Sequence, residues 1–265
     1  MSYNYLPLDR KPIFFDQIIN LLDYEQLVSI TFDAHEQIVI GRQYLDKIIA
    51  DGKLLDAIET IDGKVVATNE AETNEQTLLV RQAFSKGTLL PTPIVKLTLM
   101  LKIKSFSYGK SGITIETVKR LMDMYNSDIL PVIYSEDDFN DSAVLSQLGL
   151  PLMGLGNVHY KGVSMAASEA LEKQGWQALQ LKSKEAIALM SGYQFTNAYG
   201  LFYAKLALSS KTIDQSTLSK IITTLIDAAN TPSEAIIIDA PKNIITYQTI
   251  DNDVLIKAIQ ALPRS

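Results

Sequence analysis

A mainly α-helical fold with a few short β-strands is the fold class this sequence predicts. Three observations carry the prediction. Long stretches keep apolar residues at helical spacing between capping and stop residues. Alternating, β-branched runs are few and short. Hydrophobic residues make up 47% of the 265 positions and charged residues 20%, enough for a packed core and too apolar for disorder.

The elements follow in order. Residues 27–32, LVSITF, alternate and are rich in β-formers, so a strand is expected. Asp33 can cap a helix through about Ala50, because Ile38, Ile40, Tyr44, Leu45, Ile48 and Ile49 fall near helical spacing; Asp51-Gly52 stops it. KVVATN (64–69) reads as another strand, and 74–84 as a helix with Gly87 beyond it. Pro93 suits the first turn of a long apolar helix, IVKLTLMLKIKSFSY, ended by Gly109. Thr114 caps the next helix, and Glu116 adds negative charge at its start. LPVIYS (130–135) is extended. Asp141 begins a helix to about Met153, and VHYKG (158–162) belongs to a small hairpin. Ser164 or Ser168 opens a helix to Lys173. One long helix runs from about Lys182 to Leu208, interrupted or bent near Gly192, and a further helix ends near Asn230. EAIIID (234–239) and NIITYQ (243–248) are β-like, and a short helix from Asp253 to Leu262 follows.

Composition also narrows the function. The net charge of −6 argues against a nucleic-acid partner, which would need clustered Lys and Arg. With no cysteine there is no disulfide, thiolate metal site or Cys nucleophile. The two histidines, His35 and His159, are too few for a His-rich metal site. Neither a signal peptide nor a membrane span is evident, so a cytoplasmic location is the expectation.

Several blocks stand in an order that points to one family. TLLVRQAFSKGTLLPTPIVKLTLMLKIKSFSYGKSGI (77–113) contains a helix ending in the turn Gly109-Lys110-Ser111-Gly112. An extended Pro131-Val132 segment leads to Asp141. Lys184-Glu185-Ala186-Ile187-Ala188-Leu189-Met190-Ser191-Gly192-Tyr193-Gln194 closes the match. This series resembles the central region of the aromatic amino acid ammonia-lyases, the histidine/phenylalanine/tyrosine ammonia-lyase family. The resemblance covers roughly 33–205. It implies an ammonia-lyase-like (fumarase/aspartase-like) helical fold with a truncated central bundle. Residues 1–200 would form the lyase-like N-terminal and core region. Residues 201–265 would form a shortened bundle and C-terminal segment, the two making one compact unit.

Members of that family build an electrophile, a methylidene-imidazolone (MIO), from an Ala-Ser-Gly tripeptide. The Gly amide nitrogen closes the ring, a step easiest for a residue without Cβ. The matching tripeptide here is Asp141-Ser142-Ala143, followed by Val144 where the family has Asp. The family's Tyr-Gly-x-Asn-Thr-Gly-Phe-Gly loop falls on 56–63, so Asp56 replaces the catalytic phenol; an ionised carboxylate cannot serve as a weak acid. The family's Ser-His pair falls on Arg81-Gln82, and Gln82 cannot carry a proton as His does. Ser191 stands where the family has Asn. The resemblance therefore implies that the MIO does not form, and that no other cofactor or metal is held.

Asp141 has two readings: a reactive carboxylate, or the N-cap of the helix SAVLSQLGL, which is the commoner role. Ser142 is either a remnant nucleophile without a nearby His or a first helical residue. Glu136, Asp137 and Asp138 read as a solvated loop, with an acidic site alongside Asp56 and Glu59 as the alternative. Lys184-Glu185 reads as a structural helix pair. The expected function is a catalytically degenerate lyase-like protein, a pseudoenzyme. It would serve as a silent subunit or scaffold in a homo- or hetero-oligomer with a full-length lyase. The alternatives are a repurposed pocket with carboxylate acid/base chemistry (dehydration, isomerisation or cyclisation) and a residual ammonia-lyase.

Overall fold

The computed structural model describes residues 5–24, 26–51, 57–61, 64–68, 75–83, 86–136, 139–210, 213–233, 236–242, 244–247 and 252–263. The chain opens with a unit of which sequence pattern revealed only the last strand. Strand β1 (Tyr5–Leu8) runs parallel to β2 (Leu27–Ile30), with helix α1 (Phe15–Tyr24) crossing between them. Leu6 and Leu8 alternate inward with Tyr5 and Pro7 outward, a period too short to stand out in the sequence.

Helix α2 (Phe32–Ala50) starts earlier than expected. Its cap is Thr31, whose side chain accepts from the Ala34 amide, and not Asp33. The backbone at Thr31 is still extended from β2, so the helix begins there; Asp33 lies in the first turn and pairs with Arg10 at 3.0 Å. Strands β3 (Ala57–Ile61) and β4 (Lys64–Thr68) form an antiparallel hairpin, followed by α3 (Glu75–Gln82) and the short β5 (Thr88–Leu89).

Helix α4 (Thr92–Phe106) is the centre of the core, with Pro93 in its first turn as expected. From Leu97 to Phe106 every residue is buried, including Lys102 and Lys104, so beyond its first turns this helix has no solvent face. Helix α5 (Ile115–Asn126) is capped by Thr114, whose side chain accepts from the Thr117 amide. Strand β6 (Ile129–Pro131) joins a three-stranded antiparallel sheet with β8 (Asn157–Tyr160) and β9 (Val163–Ala166), in the order β6-β8-β9, and β7 (Tyr134–Ser135) pairs with β5. Helix α6 (Asp141–Gly149) continues as a tighter turn over Leu150–Met153.

The expected hairpin is β8 (Asn157–Tyr160) with β9 (Val163–Ala166). Ser164 therefore lies in a strand, and α7 (Ala167–Lys173) opens without a side-chain cap. The expected helix over 182–208 is two helices, α8 (Glu185–Met190) and α9 (Gln194–Ser209). Gly192 breaks them at φ +110°, where a Cβ would collide with the Gln194 side-chain amide. Helix α9 packs along α4, and α10 (Gln215–Ala229), capped by Asp214, packs along α9. Strands β10 (Ile236–Asp239) and β11 (Ile244–Tyr247) form an antiparallel pair, and α11 (Asp253–Gln260) returns to α9. One core cluster links Leu6 to Leu262, and position 200 lies inside α9. No helix among the described residues is long and apolar enough to cross a membrane, and no His, Asp and Glu among them cluster as a metal site would require.

Candidate functional site

The site is built on the first turn of α6. Asn140, and not Asp141, is the cap of that helix: Asn140 Oδ1 accepts from the Ala143 amide at 3.1 Å. The Asp141 carboxylate is free for a different task. Its Oδ1 accepts from the backbone amides of Phe195 (2.8 Å) and Thr196 (3.0 Å). Its Oδ2 accepts from the Thr196 hydroxyl and, at 3.0 Å, from Asn252 Nδ2. Phe195 and Thr196 are the second and third residues of α9, whose own cap position, Tyr193, supplies no side-chain bond. Asp141 is thus a cap delivered from another helix, placed at the positive end of the α9 dipole.

Two effects oppose each other at this carboxyl. Asp141 is only 7% exposed. Burial pushes its pKa up, the bonds from Thr196, Asn252 and Phe195 pull it down, and the balance is about 6. The group is therefore mostly ionised at neutral pH, with its oxygens occupied by four donors.

Residues 141–143 are ordinary helix. The Val144 amide donates to the Asn140 carbonyl at 3.2 Å, and Ala143 directs its own amide to the Asn140 side chain. The Ser142 hydroxyl is buried and has no hydrogen-bond partner among the described residues. Ala143 and Val144 form one wall of a cleft of about 240 Å³, together with Lys86, Tyr134, Glu136 and Asn140. Gln147 holds Tyr134 in this lining: its Oε1 accepts from the Tyr134 amide (2.9 Å), and its Nε2 donates to the Tyr134 carbonyl (2.8 Å).

Glu136, weighed in the sequence as part of an acidic site, lines this cleft, whereas Ser191 and Gln82 do not. Ser191 is buried at the end of α8; its hydroxyl donates back to the Ile187 carbonyl, and its own carbonyl accepts from Lys102 Nζ at 2.6 Å. Gln82 is the half-buried last residue of α3. Asp56, Asp137 and Asp138 lie outside the described residues, and Glu59 is described only as a backbone member of β3, opposite Val66. Sequence reasoning missed Lys86, Tyr134, Thr196 and Asn252. A polar residue at the third position of an uncapped helix was the available sign for Thr196; nothing local marks Asn252.

A second buried carboxylate is built the same way. Lys184 precedes α8 in left-handed backbone at φ +71°. Glu185 Oε1 accepts from the Thr114 amide (2.9 Å), the Thr114 hydroxyl (2.8 Å) and the Thr117 hydroxyl (2.8 Å), and Oε2 accepts from the Lys182 amide (2.8 Å). Glu185 thereby anchors α8 to the start of α5, a longer reach than a pair within one helix.

Comparison with known proteins accounts for this frame. The family model for aromatic amino acid lyases matches residues 13–226. Histidine ammonia-lyase of Caldanaerobacter subterraneus subsp. tengcongensis is 29% identical over 197 residues, 68% of this chain and 39% of that protein. Histidine ammonia-lyase of Deinococcus radiodurans is 30% identical over 186 residues, 68% of this chain and 36% of that protein. Among solved structures, histidine ammonia-lyase from Trypanosoma cruzi aligns with a TM-score of 0.82 at 17% identity, covering 96% of this chain and 62% of that one. Ergothionase from Treponema denticola aligns at 0.80 and 18% identity, covering 93% and 65%. At such identities the structures speak for the fold alone, and the chain spans under two fifths of the length of these two curated relatives. With the family model matching residues 13–226, from before α1 into α10, the chain belongs to the aromatic amino acid lyase family.

Proposed function

We propose that this chain is a catalytically degenerate member of the family, acting as a silent subunit or scaffold in a homo- or hetero-oligomer with a full-length lyase. The observation that carries the proposal is the Asp141 carboxylate seated on the N-terminus of α9. At the position where the resemblance puts the first residue of an electrophile, the chain holds a mostly ionised acid. It occupies donors that could otherwise stabilise developing negative charge. The ring-closing nitrogen belongs to Ala143, which carries a Cβ and directs its N–H to Asn140. Gln82, at the family's His position, supplies no proton carrier, and Ser191, at the family's Asn position, supplies no side-chain amide.

Intact-protein mass spectrometry tests the chemistry. The unmodified sequence mass is expected; a chain lighter by the water that cyclisation expels would overturn the proposal and favour a residual lyase. Co-purification from the native source tests the partner. Recovery in an oligomer, with itself or with a longer lyase, is expected, and a strict monomer that captures no lyase would remove that half of the reading.

One observation favours a second reading, a repurposed enzyme: the Asp141 carboxyl at about 6 lies in the range useful for general acid–base work. Such chemistry would need a substrate to displace Asn252 or Thr196 from Asp141. Full retention of any detected turnover in Asp141→Asn would exclude it.

A further inference from the structure

Helix α11 is only 8 residues long and meets the rest of the chain in two ways. Its apolar side, Leu255 and Ile259, is buried, and the helix packs on α9 and α10. The approach is close at Gly200 of α9, where an added Cβ would stand 2.8 Å from Ile259 and 2.6 Å from Leu225 of α10. The polar attachment is Asn252, which occupies the cap position of α11. Asn is among the best capping residues, yet this one makes no side-chain cap bond. Its amide nitrogen is turned to three oxygens instead: Asp141 Oδ2 (3.0 Å), the Thr196 hydroxyl (3.1 Å) and, most weakly, the Phe139 carbonyl (3.4 Å). That orientation is fixed, because the amide oxygen in its place would face a carboxylate and a carbonyl.

These contacts fall on the segment that shapes the cleft. Phe139 has left-handed backbone at φ +52°, which is unfavourable for a residue with a Cβ. Three attachments keep it there. The Asp141 amide donates to its carbonyl at 2.9 Å, Asn252 approaches the same carbonyl, and its ring meets Tyr199 edge-on at 5.2 Å between centroids. The next residue, Asn140, lines the cleft. Its side chain accepts from the Ala143 amide (3.1 Å) and its carbonyl from the Val144 amide (3.2 Å), and those two residues are the wall that α6 contributes.

We propose that α11 is a reversible latch on the cleft. Docked, it places Asn252 so that residues 139–141 stay in the turn that sets the wall. Undocked, it frees that turn, and the first turn of α6 loosens with it. A helix this short, without a cap of its own, depends on its packing, so it is an element of low local stability. By linkage, a molecule that fits the docked shape of the cleft also holds α11 down.

Residue-resolved amide exchange on the full chain tests the latch. In Asn252→Ala, the Ala143 and Val144 amides are expected to exchange about five-fold faster, the equivalent of one net hydrogen bond. Helix α11 should quicken with them and α5 should not. Ile259→Ala loosens α11 from its apolar side while sparing the Asn252 side chain, and the same two amides are expected to quicken. Quickening confined to α11 in either variant would overturn the latch, and so would equal quickening throughout α5. Exchange from the wild type in low urea covers the case in which a variant fails to fold. There Ala143 and Val144 are expected to share the opening free energy of α11, below that of α4. A separate, higher opening for those two amides would overturn the proposal.

Discussion

Glu185 and Asp141 use one electrostatic device in two regions of the molecule. Each is a buried carboxylate that accepts four hydrogen bonds, and each is planted at the start of a helix other than its own. They differ in what they bind together. Glu185 belongs to the Lys-Glu stretch shared with the family, and its partners, at 114, 117 and 182, all lie within the matched region. Asp141 stands where the resemblance places the first residue of the electrophile, and one of its partners, Asn252, lies beyond the matched region. The contrast teaches that a buried carboxyl group can tie a scaffold together in one place and close off the start of a helix beside a cleft in another. The chemistry of the group is the same; its position decides the consequence.

The largest expected effect lies on the scaffold side. Glu185→Ala would strand two backbone amides and two hydroxyls, with a loss of roughly 3–4 kcal/mol read from urea unfolding. A loss under 1 kcal/mol would break the comparison, because Glu185 would then not be the anchor of α5.

The second effect is a pH dependence specific to Asp141. Its folded pKa, about 6, lies above the ordinary 3.8, so the fold favours the protonated form. That contribution is fully present below about pH 3.8 and is lost as pH rises through 6. It amounts to about 3 kcal/mol at most, at 1.36 kcal/mol per pKa unit. Relative to Asp141→Asn, wild-type stability should fall between about pH 4 and pH 6 and level off above. A pH-independent difference between the two proteins would show that the hydrogen bonds fully offset burial.

The smallest effect concerns the segment after 251. Asn252→Ala removes one donor from Asp141 and from the Thr196 hydroxyl, costing about 1 kcal/mol. Hydrogen exchange should quicken in α11 while α5 is unchanged. Equal quickening in both helices would mean that the two carboxylates are coupled rather than separate.

Much of the fold was legible because its signals are local. Thr114 caps α5, Pro93 begins α4, and Gly192 interrupts the helix after α8. In each case a side chain, or its absence, acts on backbone within a turn. The misplaced caps show the limit of that logic. Asp33 and Asp141 are good capping residues, yet Thr31 and Asn140, one or two residues earlier, took the positions; Thr31 still carries the extended backbone of β2, and Asn140 follows Phe139 in left-handed backbone. The candidate site was legible only at its centre. The sequence marked 141–143 and weighed Glu136, whereas Lys86 and Tyr134 reach the cleft from beside β5 and from β7.

By itself the amino-acid sequence determined the mainly helical class and the family frame, since these depend on residue identity and spacing along the chain. Only the tertiary structure decided what the Asp141 carboxylate does, because its partners are 54, 55 and 111 positions away. An ionised group takes its role from whichever donors folding brings to it, and separations of that kind leave no periodic trace in a chain.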